Sequence, residues 1–496
     1  MLPISLRPNG RRAVIVGGGD VAARKAQSLA DAGFPLFVVA ERIEDRLRSL
    51  VVAHDGQCEQ RSYDRSDLAD AALVIAATDD FELNAQIVTD ARAARVLVCD
   101  ATQGERGDFT MTATARIGEL TISVDSGGNA PAFSARIAAE IGQKLGSQYA
   151  DALQTLARIR SYVKAEFPPN ERASILRALT DRPIAELAAI PGTILVCATR
   201  QSPLATIQSR TIAARLAQRG IMTKMLGITT HGDRNRADSI DRLGEINVFV
   251  KELERALRER EADYAVHSCK DLASDLPEDM RIAAISQRED PRDAFCSERY
   301  ASFEALPAGA VVGTSSPRRR AQLAGLRPDL RYETMRGNVD TRLRKLAEGE
   351  CDALVLAMAG LRRLGARAKH VLPFAVERIV PAVGQGALAV EVRAGDEALG
   401  EMLHAVVNDS QSQLCVECER AALRSMRAGC SAPIGIHAAF EGQAIVARGV
   451  RASDDGKLIK ARIERSVSTL EEARTLGIEL CVRLNASQSA ASGVER

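Results

Sequence analysis

The sequence predicts an α/β protein made of several domains that follow one another along the chain. Short apolar runs typical of buried strands alternate with longer stretches of helical apolar spacing, which is the pattern of parallel-sheet folds. Several of the apolar runs end in glycine or Ser-Pro turns, and turns of this kind start helices. The chain has 496 residues, and at about 150 residues per domain three or four domains are expected.

Composition limits the classes of function. Lys and Arg number 66 against 65 Asp and Glu, so a net charge of +1 provides no strong field to attract a nucleic acid. Only ten of the basic residues are lysines and 56 are arginines. A genomic preference for arginine codons explains this most simply, and carboxylate or phosphate binding is the alternative. Scarce aromatic residues disfavour stacking surfaces for single-stranded nucleic acid.

Nothing in the sequence predicts export or a membrane. The ten cysteines are scattered and lack the spacing of a disulfide framework. No apolar stretch reaches the roughly 18–20 residues that a membrane span requires. We therefore expect a cytoplasmic protein with neither a membrane nor a nucleic acid as its partner.

The first forty residues predict a dinucleotide-binding βαβ unit. An apolar run at 13–16 meets GGGDVA at 17–22, which fits G-x-G-x-x-A, and a helical stretch leads to a second apolar run at 36–39. Glycines at such a turn let the backbone approach a pyrophosphate at a helix N-terminus. Glu41 follows the second strand, where a carboxylate favours NAD over NADP. The alternative is a tight strand–helix turn without a ligand.

The rest of the first half extends this pattern and then departs from it. Apolar runs at 71–80 and 94–100 predict two more buried strands, and alternation over 109–124 predicts a strand pair. A Ser-Gly-Gly loop then leads into helical spacing that reaches residue 190, with a break only at Pro168-Pro169. A mainly helical region therefore follows the predicted sheet.

Three segments of this half, IVGGGDVAARKA, IAATDD and DSGGNAPAFSARI, resemble the dehydrogenase–ferrochelatase module of siroheme synthases. The resemblance implies a Rossmann-like NAD-binding domain at 1–110 and a dimerisation and helical region at 111–190. It implies NAD-dependent oxidation of precorrin-2 to sirohydrochlorin, leaves iron insertion open, and makes a homodimer through this module a further expectation. The NAD site would comprise Gly17, Gly19, Asp20, Val21, Glu41 and Arg42, and Ser126 would face the substrate.

One position departs from that family. The family has an aspartate, implicated in both reactions, shortly after the strand at 94–100. Counted back from Phe109 without a gap, Thr102 occupies that position, and the nearest carboxylate is Asp100. A hydroxyl of ordinary pKa cannot act as a general base near neutrality. Either Asp100 serves instead, or the module is a non-catalytic NAD-binding and dimerisation domain.

The second half contains two turns that predict anion-binding helix N-termini. The first lies in ILVCATRQSPLA, where a strand ends at Arg200 and Ser202-Pro203 starts a helix. The second lies at 311–326, where a strand, Thr-Ser-Ser and a proline precede another helix. Arginines in and after that helix would bind the same anionic ligand. Three arginines follow one another at 318–320, and a helix spreads successive side chains by roughly 100° each, so they cannot all face one ligand. We favour Arg318 and Arg319 as the two that bind it. Solvated basic faces are the alternative.

The segment VHSCKDL places Lys270 beside Asp271 at the C-terminal end of an apolar run, where α/β sheets carry their chemistry. Asp271 could stabilise a developing cation or exchange protons, and Lys270 could bind an anion. No elbow motif supports Cys269 as a nucleophile. Cys415 and Cys418 lack a second ligand pair at zinc spacing, so we expect a buried helix face there and no metal site.

Nine segments occur in order between 194 and 438: ATRQSPLA, FVKELE, VHSCKDL, REDPRDAF, VGTSSPRRR, MRGNVDTRL, LAMAGLRRLG, PAVGQGALAVE and AGCSAPIG. Together they resemble porphobilinogen deaminase, also called hydroxymethylbilane synthase, over about 193–496. The resemblance implies a transferase that joins four porphobilinogen units head to tail, releasing ammonia and hydroxymethylbilane, in heme and siroheme biosynthesis. Cys430, an accessible loop thiol by its Gly-Cys-Ser context, would hold the primer, a dipyrromethane cofactor, by a thioether.

The chemistry of that family implies further roles. Loss of ammonia leaves an electron-poor azafulvene, and Asp271 would stabilise its charge. Each pyrrole carries an acetate and a propionate, so the growing chain is strongly anionic. The residues that would hold cofactor and substrate carboxylates are Arg200, Ser202, Lys270, Thr314, Ser315, Ser316, Arg318, Arg319, Arg336 and Arg342. Gln385, in VGQGA, would lie in a hinge region.

The resemblance also implies an architecture. Two α/β lobes similar to type II periplasmic binding proteins would comprise 193–287 with 387–408 and 288–386, and a small α/β domain at 409–496 would present Cys430. Two departures occur: Arg242 and Ile246 stand where the family loop usually has two lysines, and AGC replaces GGC.

Three hypotheses follow. The first is a deaminase joined to a precorrin-2 dehydrogenase, and the second makes the first half a non-catalytic module. The third, a solute-binding module that kept a two-lobed fold without catalysis, is disfavoured because Asp271 and Cys430 are retained.

Overall fold

The computed structural model describes residues 2–228, 245–426, 433–453 and 456–492. The chain divides into two compact units, Met1–Leu153 and Gln154–Arg496. Each unit is built on sheets covered by helices, so the predicted mixed α/β fold class, with a parallel sheet first, is confirmed.

The first unit is built on a five-stranded parallel sheet in the order β3-β2-β1-β4-β5. Its strands are β1 (Arg12–Val16), β2 (Leu36–Val39), β3 (Gln57–Glu59), β4 (Ala71–Ala76) and β5 (Leu97–Asp100). The central strands are apolar and buried along nearly their whole length because helices cover both faces of the sheet. All five carboxyl ends consequently lie at one edge.

Three helices cover this sheet, and a hairpin and a fourth helix follow it. They are α1 (Asp20–Asp31), α2 (Asp45–Ala53), α3 (Phe81–Ala94), β6 (Ala113–Ile117), β7 (Leu120–Val124) and α4 (Pro131–Leu145). Gly118 turns the hairpin with a φ of +59°, a conformation that costs glycine little. The predicted strand pair and the helix beginning near Pro131 are both present.

The helical region up to residue 190 has more breaks than the sequence pattern predicted. It consists of α5 (Gln148–Glu166), α6 (Pro169–Thr180) and α7 (Ile184–Ala188). Gly146, with a φ of +64°, separates α4 from α5. Pro183 adds a break after α6 because proline lacks the amide hydrogen that a continuing helix needs.

The described residues of the second unit form three further sheets. Its strands in chain order are β8 (Ile194–Arg200), β9 (Met222–Ile228), β10 (Tyr264–Ser268), β11 (Met280–Ile285), β12 (Asp293–Ser297), β13 (Val311–Gly313), β14 (Arg331–Glu333), β15 (Ala353–Ala357), β16 (His370–Pro373), β17 (Leu388–Arg393), β18 (Ile434–Glu441), β19 (Ala444–Ala452) and β20 (Leu458–Ser466). Its helices after α7 are α8 (Pro203–Ala217), α9 (Glu245–Arg258), α10 (Pro317–Leu326), α11 (Val339–Ala347), α12 (Met358–Leu364), α13 (Glu397–Val407), α14 (Ser410–Ser425) and α15 (Leu470–Ser492).

Two of these sheets form lobes with the same pattern. Lobe 1 has the order β11-β17-β10-β8-β9, and lobe 2 has the order β14-β13-β15-β12-β16. In each lobe four strands run in the same direction, and one inner antiparallel strand arrives from the other lobe: β17 in lobe 1 and β12 in lobe 2. The chain therefore crosses between the lobes twice, at 286–292 and at 374–387.

The third sheet, β18-β19-β20, is antiparallel and packs one face against α14 and α15. Cys415 and Cys418 of α14 are buried in that core, as their helical spacing predicted. Within the described parts of the chain, no helix combines the length and the apolar character that crossing a membrane would take.

Candidate active site

Lobe 1 brings the carboxyl ends of β8 and β10 side by side. The two strands are parallel neighbours, Arg200 is the last residue of β8, and Lys270 and Asp271 lie in a 3-10 turn that directly follows β10. The Gln208 side chain of α8 donates a hydrogen bond to the Ser268 hydroxyl at 2.7 Å. The three predicted site residues therefore share one edge of the sheet.

Ser202 is the N-terminal cap of α8 at this edge of the sheet. Its hydroxyl accepts a hydrogen bond from the Ala205 amide at 3.3 Å, and Pro203 is the first helical residue of α8. The predicted start of the helix is therefore confirmed, with the N-terminal amides of α8 directed to the side of the lobe that carries Arg200.

The turn that holds Lys270 and Asp271 packs tightly against the second crossover. The Cys269 amide donates to the Ala387 carbonyl at 3.0 Å, and a Cβ at Gly384, whose φ is +66°, would lie 2.6 Å from the Cys269 sulfur. Only glycine fits such an approach. Burial raises the pKa of Cys269 to about 11, so the thiol stays protonated and is poorly suited to act as a nucleophile.

Lobe 2 has a matching edge at the end of β13. The Thr314 amide continues the pairing with β14 through the Glu333 carbonyl at 2.8 Å, and the Thr314 hydroxyl accepts from the Ser316 amide at 3.2 Å. The Ser315 hydroxyl donates to the Met335 carbonyl. The Ser316 side chain caps α10. The three predicted residues thus form a compact strand–helix turn.

Arg318 and Arg319 lie in a buried cluster around one carboxylate. Arg318 Nη1 is 2.6 Å from Asp293 Oδ2, and Arg319 Nη2 is 2.7 Å from Asp293 Oδ1. Gln385 Nε2 donates to Asp293 Oδ1 at 2.9 Å. Burial alone would raise the pKa of Asp293, but the two arginines outweigh it and hold that pKa far below its ordinary value. Two cations share one anion, so the cluster keeps a surplus of positive charge.

Arg336 and Arg342 flank a Gly-Asn turn. Gly337 has a φ of +118°, and the Asn338 side chain caps α11 by accepting from the Thr341 amide at 2.9 Å. Arg336 is exposed before this turn. Arg342 is half-buried in α11, and its buried Nε has no hydrogen-bond partner within the described ranges.

Burial lowers the pKa of three of these cations, Lys270, Arg318 and Arg342, and is the largest cause of each shift. Arg319 lowers each of these pKa values further, whereas Asp293 opposes the shift at Arg318, and Asp271 and Asp293 oppose it at Lys270. Desolvated cations that repel one another are stabilised by an anionic ligand.

Buried hydrogen bonds connect the two crossovers to α14. Arg288 Nη1 of the first crossover is 2.6 Å from Glu419 Oε1 of α14, and Glu419 also accepts from the Gly384 amide at 2.6 Å. Arg288 Nε donates to the Gln385 carbonyl at 2.9 Å. Gln385, predicted in a hinge region, therefore lies between the Asp293 cluster and α14.

Arg420 connects α14 to the segment that follows Asp271. Its Nη2 donates to the carbonyls of Ala273 and Ser274 at 2.7 and 2.9 Å, and Arg420 is itself buried. The helix α14 is thus in contact with the segment that follows the proposed catalytic turn. Cys430, the AGC segment and Arg242 lie outside the described residues, and nothing of the Ile246 side chain is described.

In the first unit, the glycine turn after β1 forms as predicted. Gly17 has a φ of +130°, and a Cβ there would lie 2.2 Å from the Ala77 carbonyl oxygen. A Cβ at Gly18 would lie 1.9 Å from the Arg42 carbonyl oxygen. Around Gly19, which precedes α1, a Cβ would meet only the tip of Glu44 at 3.8 Å. The first two glycines are required by packing, and the third leaves space beside the helix N-terminus for a ligand.

The other predicted NAD residues surround this turn. Asp20 and Val21 are exposed in the first turn of α1, and Glu41 and Arg42 are exposed after β2. Glu41 Oε1 accepts a hydrogen bond from Ser62 Oγ at 2.8 Å, which orients the carboxylate. These side chains stand at the carboxyl edge of the sheet, where dinucleotides bind in open α/β folds.

Asp100 and Thr102, the nearest carboxylate and the residue at the family's aspartate position, are in direct contact. Asp100 Oδ1 accepts from the Thr102 hydroxyl at 2.7 Å and from the amides of Thr102 and Gln103. Asp100 Oδ2 is buried and has no partner among the residues described. Burial would raise the pKa of Asp100, but these hydrogen bonds outweigh it and the net pKa is lowered. Ser126 lies apart in the loop before α4, where its hydroxyl accepts from the Ala130 amide at 3.0 Å.

Asp293 and Glu419 were not identified from the sequence, although both stand in quoted or adjacent segments. Asp293 opens a fully buried strand, DAFCS, and Glu419 lies between buried cysteines and alanines on α14. A carboxylate in such apolar surroundings needs a cationic partner. That signal predicts an ion pair but does not say which of the 56 arginines provides it.

Comparison with known proteins agrees with this geometry. Residues 195–401 match the family model described as "Porphobilinogen deaminase, dipyromethane cofactor binding domain", and residues 413–486 match "Porphobilinogen deaminase, C-terminal domain". The porphobilinogen deaminase of Laribacter hongkongensis is 47% identical over 264 residues, which cover 53% of this chain and 85% of that protein. The porphobilinogen deaminase of Rubrobacter xylanophilus is 45% identical over 291 residues, which cover 58% of this chain and 93% of that protein.

The chain belongs to the porphobilinogen deaminase family. It is therefore a transferase of tetrapyrrole biosynthesis, as predicted. Residues 4–113 match a separate model, "Putative NAD(P)-binding", which confirms a dinucleotide-binding domain in the first unit. A solved structure titled "SirC, precorrin-2 dehydrogenase" is 19% identical in sequence, with a TM-score of 0.32. The match covers 37% of this chain and 92% of the chain in that structure.

The residues of the second unit fit the cofactor named by the family model. A dipyrromethane cofactor whose pyrroles carry acetate and propionate groups is anionic, and the described edges of the two lobes offer it the cations Lys270, Arg318, Arg319 and Arg342. The unpartnered Nε of Arg342 is a donor suited to a carboxylate.

Proposed function

We propose that the second unit is a hydroxymethylbilane synthase that builds a tetrapyrrole chain in the cleft between lobes 1 and 2. The observation that carries this proposal is the convergence of desolvated cations at the carboxyl ends of β8, β10 and β13, where the pKa values of Lys270, Arg318 and Arg342 are lowered. A ligand that supplies many carboxylates relieves this repulsion, and each added pyrrole brings two.

Asp271 is proposed as the catalytic residue. In each addition the C–N bond of the aminomethyl group breaks, ammonia leaves, a C–C bond forms to the terminal pyrrole, and that pyrrole loses a proton. Positive charge develops on the incoming ring before the new bond forms, and a fixed carboxylate near the ring N–H stabilises it. The turn after β10 is held by Ala387 and, through Arg420, by α14, so the Asp271 carboxylate needs little reorganisation.

The arginines and hydroxyls of both edges are proposed to bind carboxylates. Arg200, Ser202 and Lys270 serve from lobe 1, and the second set, from lobe 2, is Thr314, Ser315, Ser316, Arg318, Arg319, Arg336 and Arg342. The cofactor, when bound, supplies the pyrrole carbon to which the first substrate is joined. Gln385 and Asp293 hold the orientation of Arg318 and Arg319 behind this surface.

Cys430 is proposed as the attachment residue. In Cys430→Ser we expect the purified protein to have the mass of the bare polypeptide and no measurable turnover, because a hydroxyl is a much weaker nucleophile than a thiol for thioether-type attachment. The wild type should carry one dipyrrole, with further pyrrole increments after porphobilinogen is added. Intact-mass spectrometry measures both the dipyrrole on the purified protein and the pyrrole increments.

Cys481→Ser is the matched control, since Cys481 is a buried cysteine of α15 in the same domain. It should keep the dipyrrole mass and the turnover. A Cys430→Ser protein that still carries the dipyrrole would show that another residue holds the cofactor.

For the first unit we propose NAD-dependent oxidation of precorrin-2, with Asp100 as its carboxylate. The observation that favours this is the geometry at the end of β5: Asp100 is nearly inaccessible, Oδ1 is fixed by Thr102, and Oδ2 is left for another group. The lowered pKa of Asp100 keeps it ionised at neutral pH. Thr102 is thus a positioning residue, and the carboxylate lies two residues before it.

Asp100→Asn tests this assignment. We expect NADH formation from precorrin-2, followed at 340 nm, to fall by roughly 100-fold or more, whereas NAD binding measured by calorimetry changes little. Thr102→Val should reduce turnover by a smaller factor, because Asp100 keeps its backbone hydrogen bonds. A wild-type protein that binds NAD but forms no NADH would instead identify the module as non-catalytic.

A further inference from the structure

The helical region before residue 190 is divided by the structure, and its larger part belongs to the second unit. We define the helical layer as residues 154–190, which comprise the rest of α5 together with α6 and α7. Apolar side chains of this layer, including Ile159, Val163 and Leu179, are fully buried against Ala213 and Ala217 of α8. The layer therefore shares a core with lobe 1.

The layer also covers an open sheet edge. β9 is the outermost strand of lobe 1 and pairs only with β8 among the described strands. The Tyr162 hydroxyl donates to the Thr223 carbonyl at 2.9 Å and accepts from the Thr223 amide at 2.9 Å. A tyrosine hydroxyl can donate one hydrogen bond and accept another, so this contact uses both of its capacities. Unpaired edges promote unwanted association between sheets, and here a side chain pairs with the edge at Thr223.

The same contact extends to the strand that carries the proposed catalytic turn. The Thr223 hydroxyl lies 3.2 Å from the Tyr264 hydroxyl, and both residues are buried. Tyr264 is the first residue of β10, which leads to Lys270 and Asp271. Burial raises the pKa of Tyr162 to about 12, so its hydroxyl keeps the proton that this arrangement requires.

The connection from the layer to β8 is packed as well. Arg158 Nη2 donates to the carbonyls of Ile190 and Pro191 at 3.3 and 3.4 Å. A Cβ at Gly220, the turn after α8, would lie 2.5 Å from Ile190 Cδ1. These contacts hold the end of the layer against the turn that follows α8.

We propose that the helical layer is a docking element integral to this deaminase, which seals the β9 edge through Tyr162 and supports lobe 1 through the Ile159 contacts. The matching deaminase model begins only at residue 195, so the layer is an addition to the family's portion of the chain. The fusion then has a structural consequence: the stability of the deaminase depends on residues that precede its own family domains.

Two substitutions in the full-length chain test this docking. In Tyr162→Phe, hydrogen exchange at residues 222–228 should become about tenfold faster, and the temperature of half-inactivation of porphobilinogen consumption should fall by about 2–6 °C. Ile159→Ala should lower that temperature by about 5–10 °C. Exchange is measured without substrate, so its result does not depend on the proposed function.

Tyr149→Phe is the control, because Tyr149 lies on the same helix but within the first unit. It should leave both measurements unchanged. Unchanged exchange and inactivation in Tyr162→Phe and Ile159→Ala would overturn the proposal. So would an equal loss in Tyr149→Phe, since the effect would then belong to α5 as a whole.

Discussion

Replacing Asp271 with Ala should reduce porphobilinogen consumption by a factor of about 100–1000 or more while the purified protein keeps its dipyrrole mass. The carboxylate stands in a turn fixed from two sides, by Ala387 behind it and by Arg420 beyond it. Charge develops on the substrate only in the reaction, so removal of this group affects kcat more strongly than KM. Stopped-time assays with intact-mass measurement separate catalysis from cofactor attachment.

Asp275→Asn is the matched control for this prediction. Asp275 follows the same turn but is exposed, and its side chain accepts a hydrogen bond from Ser274 at 3.2 Å. It should retain nearly full turnover. If Asp271→Ala kept wild-type kcat, the stabilisation of the developing cation would have to come from another group.

Replacing Asp293 with Asn should destabilise the second unit by about 3–5 kcal/mol. Asp293 is completely buried, and it is the anion for both Arg318 and Arg319. Its neutral replacement leaves two buried guanidinium groups without a counter-charge. Urea denaturation followed by circular dichroism and by loss of deaminase activity measures the change.

The same residue predicts a dependence of stability on pH. The folded-state pKa of Asp293 lies far below the ordinary value of about 3.9, so its contribution is fully present above about pH 4 and is lost as the pH falls through the folded-state pKa. Asp293→Asn should therefore flatten the loss of stability on acidification below about pH 4.

Asp329→Asn is the control for both measurements, because the Asp329–Arg327 pair lies near the surface. Its effect should stay within about 1 kcal/mol. An Asp293→Asn protein as stable as the wild type would show that water or a rearranged side chain neutralises the two arginines.

The two proposed activities of the chain are independent in their tests. NADH formation measures the activity proposed for the first unit, and porphobilinogen consumption measures the activity of the second. The helical layer is tested by hydrogen exchange and by heat inactivation. Failure of the dehydrogenase proposal would therefore leave the deaminase assignment and the docking element unaffected.

Local signals in the sequence determined most of the secondary structure near both sites. The glycine turn after β1, the Ser202 and Ser316 caps with their prolines, and the turn at Lys270 and Asp271 all form where the pattern predicted. These features depend on residues a few positions apart, whose backbone preferences and capping hydrogen bonds do not require the rest of the fold.

Only the tertiary structure decided which charges meet and where one compact unit of the chain ends and the next begins. Asp293 and Gln385 reach Arg318 and Arg319, and Glu419 reaches Arg288, across large separations in sequence. The helices of 154–190 have amphipathic spacing that would fit either half of the chain, and their packing against α8 places them with the second. Periodicity shows that a face is buried, but its partner is set by long-range packing that no local pattern contains.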